Sequence, residues 1–310
     1  MPSLSEFTFP SSNGKNDIYV REWLPDGQAR GVLQLAHGIA EHIERYDGFA
    51  EFMAQNGFIV AGNDHLGHGK SISDENELGF FGENGGWQLA VSDMRRLTEL
   101  EAEKHPNLPY FLLGHSMGSF LARTYIINWR TGLDGVILSG TGQQSPIIVR
   151  TGGILADLEV KKHGASYRSK RLNDIAFGSY NDGIAHPNTA SDWISRDAEV
   201  VDKYVSDPMC GFIPSAGLFR DMMGGLRFIG ADKNLSRMNK DLPVYFFSGS
   251  ADPVGEKGKG VTRVYRSFIS AGMTDVTLKL YPEGRHEMLN ELNRDAVYAD
   301  VLGWIESKIG

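Results

Sequence analysis

PYFLLGHSMGSF, residues 109–120, sets a single serine, Ser116, between Gly114 and Gly118 at the end of an apolar run. Residues 109–115 read as a buried strand. The stretch MGSFLARTYIINW that follows reads as a helix, so Ser116 falls where one turns directly into the other. A sharp strand-to-helix turn lifts a serine Oγ clear of the backbone and aims it into the crevice beyond the sheet. The flanking glycines leave room for the helix to pass close to the strand. The first N–H groups of that helix, with its dipole, favour an oxyanion beside the serine.

Outward from this turn, the chain alternates. Upstream lie β-rich runs at 6–10, 17–25 and 31–38, a helical pattern at 44–57, a buried strand at 58–64 and a helix at 87–105. Downstream lie a strand at 134–140, another at 242–250, a helix at 260–272, a strand at 275–284 and a closing helix at 294–309. Strands alternating with helices predict an α/β fold with a mostly parallel sheet covered on both faces. Between 143 and 240 the rhythm breaks, with no long β-rich run. The expected organisation is therefore a core of residues 1–142 and 241–310, with 143–240 inserted as a lid over the strands' C-terminal ends. Open α/β sheets bind ligands at that edge.

Composition narrows the partners. Of 310 residues, 41% are hydrophobic and 23% charged, with a formal net charge of −8. An acidic chain lacks the basic face that nucleic-acid phosphates demand. Cys210 is the only cysteine, so no intrachain disulfide can form, which fits a reducing compartment. The N-terminal stretch shows no basic region followed by an apolar one, and no apolar run approaches the roughly 20 residues of a membrane span. The expected location is cytoplasmic. Residues 143–240 carry a net +2, leaving −10 elsewhere. With apolar stretches such as SPIIVRTGGILADL and GFIPSAGLF, the insertion is a candidate for transient contact with a membrane surface, against the plainer reading that these residues pack it onto the core.

A serine hydroxyl needs a base to take its proton. Among nine histidines, His286 stands just after the last strand, in YPEGRHEMLNE. His115 adjoins Ser116 but projects differently from a tight turn, and reads as structural. The base needs a carboxylate to orient it. Asp252, in FFSGSADPVG, follows strand 242–250 at once. Its alternatives are a turn-capping role for Asp252 and, as rival acid, Glu287. Ser116, Asp252 and His286 occur in the α/β-hydrolase order, each after its own strand. The loop QLAHGIAEH after an early strand is placed to complete an oxyanion hole, with the backbone N–H groups of Ile39 and Met117 as donors. No His/Cys/Asp cluster shows metal-ligand spacing, and no metal or cofactor is expected. The pair His65 and His68 reads as a loop brace.

The segment LAHGIAEHIERYDGFAEFMAQNGFIVAGNDHLGHGKS resembles the H-G-x-x-E-H-x-x-R-Y and D-H-x-G-H-G-x-S blocks of monoacylglycerol lipases and lysophospholipase-like α/β-hydrolases, often labelled serine aminopeptidase-like. GHSMG, SADPV and GRHEMLNE match the family's nucleophile, acid and histidine segments in order. The resemblance spans about residues 15 to 308 and is weakest in the insertion. It implies an α/β-hydrolase core with a helical lid, and hydrolysis of one acyl ester in a lipid with a small polar head, through an acyl-enzyme. It implies Ser116, Asp252 and His286 as triad and Ile39 and Met117 as oxyanion donors. It also sets Glu41, Arg45 and Tyr204 near the polar head and makes Cys210 a lid cysteine. An internal Glu41–Arg45 pair bracing the loop is the other reading. A small-ester carboxylesterase, an aminopeptidase-like hydrolase and a non-catalytic ligand-binding member of the fold are the alternative functions.

Overall fold

The computed structural model describes residues 2–309; the outermost positions of the expected core, 1 and 310, lie outside them. Eight strands form one sheet: β1 (Ser3–Pro10), β2 (Asp17–Leu24), β3 (Gly31–Ala36), β4 (Phe58–Asn63), β5 (Tyr110–His115), β6 (Gly135–Ser139), β7 (Val244–Gly249) and β8 (Val276–Tyr281). Their order across the sheet is β1-β2-β4-β3-β5-β6-β7-β8. From β4 to β8 every neighbouring pair is parallel, while β1–β2 and β2–β4 are antiparallel.

Ten helices accompany the strands among the described residues: α1 (Asp47–Gln55), α2 (Gly86–Lys104), α3 (Met117–Asn128), α4 (Pro146–His163), α5 (Lys170–Phe177), α6 (Ala198–Ser206), α7 (Ala216–Ile229), α8 (Asp232–Leu235), α9 (Lys259–Ser270) and α10 (Arg294–Ile309). The central strands are apolar at successive positions because both faces are covered. Side-chain alternation then divides each strand between two cores. Leu112, Val136, Leu138, Val244 and Phe246 pack toward α2, α3 and α9. Phe111, Leu113, Ile137, Tyr245 and Phe247 pack toward α1 and α10. This is the α/β-hydrolase architecture, and outside residues 143–240 its strands and helices fall on the runs read from the sequence.

Between β6 and β7 the chain runs through α4 to α8. Serine N-caps open several of these helices: Ser145, Ser169 and Ser215 accept the N–H of Ile148, Leu172 and Leu218. The buried face of α7 joins the core that contains α3, through Leu218, Phe219, Met222, Leu226 and Ile229. No helix among the described residues is long and apolar enough to cross a membrane.

Candidate active site

The parallel register brings five strand ends to one edge, pairing Ala36 with Gly114, His115 with Ser139, Ser139 with Phe247 and Gly249 with Tyr281. Ser116, Asp252 and His286 all follow directly beyond that edge.

Ser116 is the residue between β5 and α3, with φ 52° and ψ −121°. A left-handed φ in a non-glycine residue costs about 1–3 kcal/mol and persists only where the surroundings hold it. Here its N–H donates to Ser139 O at 2.9 Å, and its own carbonyl accepts Ser119 Oγ at 2.6 Å. Both glycines of the opening stretch are required by close approach. A Cβ on Gly118 would stand 2.0 Å from Ala36 O, and one on Gly114 would stand 2.5 Å from Gly118 O. The helix thus crosses the strand ends backbone against backbone, which is what turns Ser116 outward.

His286 is buried, and its Nδ1 lies 2.9 Å from Asp252 Oδ1. Asp252 is held from three sides: Val254 N donates to Oδ1 at 2.9 Å, Ser248 Oγ donates to Oδ2 at 3.0 Å, and His286 shares Oδ1. The turn-capping and histidine-orienting readings of this aspartate therefore coexist in one carboxylate. Burial pushes His286 down, but Asp252, with Glu287 and Glu41 adding to it, raises the imidazole above its ordinary value. The neighbouring buried histidines move the other way. Burial pushes His115 and His37 well below the usual range and takes His65 to about 3 and His68 to about 4. The His286 ring lies tilted against His115 at 4.6 Å and Trp193 at 5.1 Å between centroids, and abuts Gly140 just beyond β6. Ser116, bonded to Ser139, occupies the same corner. No hydrogen bond joins Ser116 Oγ to His286 among the described residues.

Met117 is the first residue of α3, where an N–H has no intrahelical acceptor. Met117 and Ile39 line the same cavity as Ser116, which encloses about 400 Å³. Its walls are largely apolar side chains of α3, α4, α5 and α7: Phe120, Leu155, Leu172, Ile175, Met222 and Leu226. A second cavity, of about 280 Å³, shares Ile39, Phe177 and Trp193 with the first but has a more polar lining, including Asn173, Asn181, Ser191 and Tyr204.

Glu41 and Arg45 come together as a buried ion pair, with Arg45 Nη1 2.6 Å from Glu41 Oε2. Glu287 completes it, accepting from Nη1 at 2.7 Å and Nη2 at 2.6 Å. Glu41 Oε1 in turn accepts Gly38 N at 2.5 Å and Tyr46 Oη at 3.0 Å, so the network braces the loop that carries Ile39. The Arg45 guanidinium also lies over the Tyr204 ring, 4.7 Å from its centroid. Glu287, the rival acid, thus engages Arg45. His65 braces the same loop, its N–H donating to His37 Nε2 at 2.9 Å. Residue types alone miss Trp193, which stands in the least similar part of the chain. Ser248 had a signal, four residues before Asp252 in the same turn.

A family model described as serine aminopeptidase, S33, matches residues 27–293. The chain belongs to that family. Among curated relatives of this S33-family protein, the monoacylglycerol lipase of Mycolicibacterium smegmatis is 32% identical over 315 residues, covering 98% of each chain. The monoglyceride lipase of Rattus norvegicus is 27% identical and covers 94% of this chain and 88% of its own. Among solved structures, a thermostable carboxyl esterase from Bacillus coagulans, crystallised with glycerol, superimposes with a TM-score of 0.92 at 30% identity, over 99% of both chains. Family and fold together place this S33-family protein among the carboxylic ester hydrolases.

Proposed function

We propose that this serine ester hydrolase cleaves a single-acyl lipid, a monoacylglycerol or lysophospholipid, through an acyl-enzyme. The observation that carries this reading is the Asp252–His286 pair beside a strained Ser116 that lines a largely apolar cavity of about 400 Å³. In this mechanism Ser116 Oγ forms a hydrogen bond to His286 Nε2, a contact that tightens when substrate enters, as catalytic hydrogen bonds do. His286 takes the serine proton as Oγ attacks the ester carbon, and the N–H groups of Ile39 and Met117 hold the oxyanion. The imidazolium then returns the proton to the leaving alcohol, while Asp252 stays ionised. Water repeats the sequence to free the fatty acid.

The apolar cavity suits one acyl chain, and the smaller, more polar one beside Ile39 and Tyr204 suits the alcohol part. Glu41 and Arg45, already paired, serve the site by holding the loop. Residues 143–240 act as the lid. On α4 and α5, Ile147, Ile148, Ile154, Leu158 and Ile175 are exposed, and Ile148 and Ile175 also line the cavity, which supports peripheral contact with a lipid surface.

A panel of long-chain monoacylglycerols, lysophospholipids, short esters and aminoacyl amides tests the reading with purified protein. Long-chain single-acyl lipids should show the highest kcat/KM, and a fluorophosphonate should label Ser116. Ser116→Ala should lose several orders of magnitude in turnover. Preference for short esters or aminoacyl amides would replace the lipid substrate, and unchanged turnover in Ser116→Ala would end the mechanism.

A further inference from the structure

Outside the active site, one cluster combines three different metal-binding donors. His42 Nε2 stands 2.8 Å from Asp207 Oδ2, and the Sγ of Cys210 lies with them so that one ligand atom from each falls within 4.8 Å of the others. Residue spacing conceals the cluster, because His42 and Asp207 are 165 positions apart. Asp207 and Cys210 lie just beyond α6, and His42 lies on the loop that carries Ile39. A backbone bond from Gly211 N to Ala40 O, 2.9 Å, fixes the two segments side by side.

We propose that His42, Asp207 and Cys210 bind one divalent transition-metal ion, zinc foremost, clamping the Ile39 loop to the helical insertion. A nitrogen, a carboxylate oxygen and a sulfur are the donors zinc takes, at about 2.0–2.3 Å, which sets donors of a tetrahedral ion about 3.3–3.7 Å from one another. The present separations, 2.8 Å between His42 and Asp207 and no more than 4.8 Å for any pair, bracket that range. Two of the three residues, His42 and Cys210, are buried, so the protein has already desolvated them. Binding releases the Cys210 proton to solvent, and the thiolate and the Asp207 carboxylate then match the two positive charges of the ion. Arg45, whose charge reaches Cys210, is paired with Glu41 and Glu287. The fourth ligand is water.

Cobalt(II) titration of the chelator-treated full-length chain tests this site, independently of any substrate. One equivalent should give the visible bands of a tetrahedral ion and a near-ultraviolet thiolate-to-cobalt charge-transfer band, both displaced by zinc. Cys210→Ser should lose the charge-transfer band, and His42→Gln should weaken binding by at least about tenfold. Zinc should raise the Tm of the wild type and leave that of Cys210→Ser unmoved. Wild-type protein without the near-ultraviolet band overturns the site whatever the variants do, as does Cys210→Ser that retains it. Either outcome leaves the ester-hydrolase reading untouched.

Discussion

Asp252 and His286 belong to turns after different strands, yet Oδ1 of one and Nδ1 of the other stand 2.9 Å apart in a buried pocket. Because Nδ1 is engaged, the imidazole is held in one tautomer, with Nε2 free to accept a proton. Asp252→Asn keeps the shape but offers an amide N–H or a weaker acceptor in place of the carboxylate. Its kcat should fall by about ten-thousandfold, with KM little changed, in steady-state assays on a soluble ester. Glu287→Gln, whose partner is Arg45, should lose far less. A comparable loss would make Glu287 the orienting acid instead.

The raised pKa of His286 predicts an acid limb. A protonated imidazole cannot take the serine proton, so kcat/KM should fall as pH drops through a midpoint above the ordinary 6.5. Glu287 contributes to the rise, and without it Arg45 is less fully matched. The midpoint of Glu287→Gln should therefore move to lower pH. A pH–rate profile of both proteins checks the direction; an unmoved or higher midpoint in the variant contradicts the coupling.

Arg45→Met leaves Glu41 and Glu287 buried without their cation. Breaking a buried ion pair in this way costs about 3–5 kcal/mol, visible as a lower urea midpoint with an unchanged slope. Burial alone would push Glu287 up, but Arg45 holds its carboxyl below the usual value. The stability this supplies is present above the unfolded-state carboxylate pKa and is lost as pH falls through the folded one. The gap between wild type and variant should therefore narrow in acid. A gap that is constant with pH would assign the loss to packing.

Gly118→Ala tests the backbone crossing beneath the serine. Its Cβ would meet Ala36 O at 2.0 Å, and neither partner is a side chain that can swing away. The expected cost is about 1–3 kcal/mol or more, with loss of fluorophosphonate labelling at Ser116 in whatever protein folds. A variant of wild-type stability and reactivity would show that the close crossing is not needed.

Local chemistry made much of this protein legible in one dimension. Apolar runs mark β3 to β7, whose positions are all buried because the sheet is covered on both faces there. Ser116, Asp252 and His286 stand out because each follows a strand at a turn. Parallel strands carry their C-terminal ends to one edge, so the order of the three in sequence already implies convergence. The position of its loop after an early strand points to Ile39, and the resemblance named Glu41, Arg45 and Tyr204 but left two roles open for the Glu41–Arg45 pair.

Tertiary structure alone decided which charge meets which. Glu287 is adjacent to His286 in sequence yet turns to Arg45, 242 positions away, because side chains of neighbouring residues diverge and the buried guanidinium donates from Nη1 and Nη2 to both of its carboxylate oxygens. Trp193 reaches the His286 ring because the backbone N–H groups of His286 and Glu287 bond to the carbonyls of Trp193 and Ile194. His42 meets Asp207 and Cys210 only because the segment after α6 packs against the first loop, with Gly211 N bonded to Ala40 O. Periodicity and turn chemistry are properties of a few consecutive residues, so sequence carries them. Pairing across the fold depends on how two distant segments pack, and no local pattern encodes that distance.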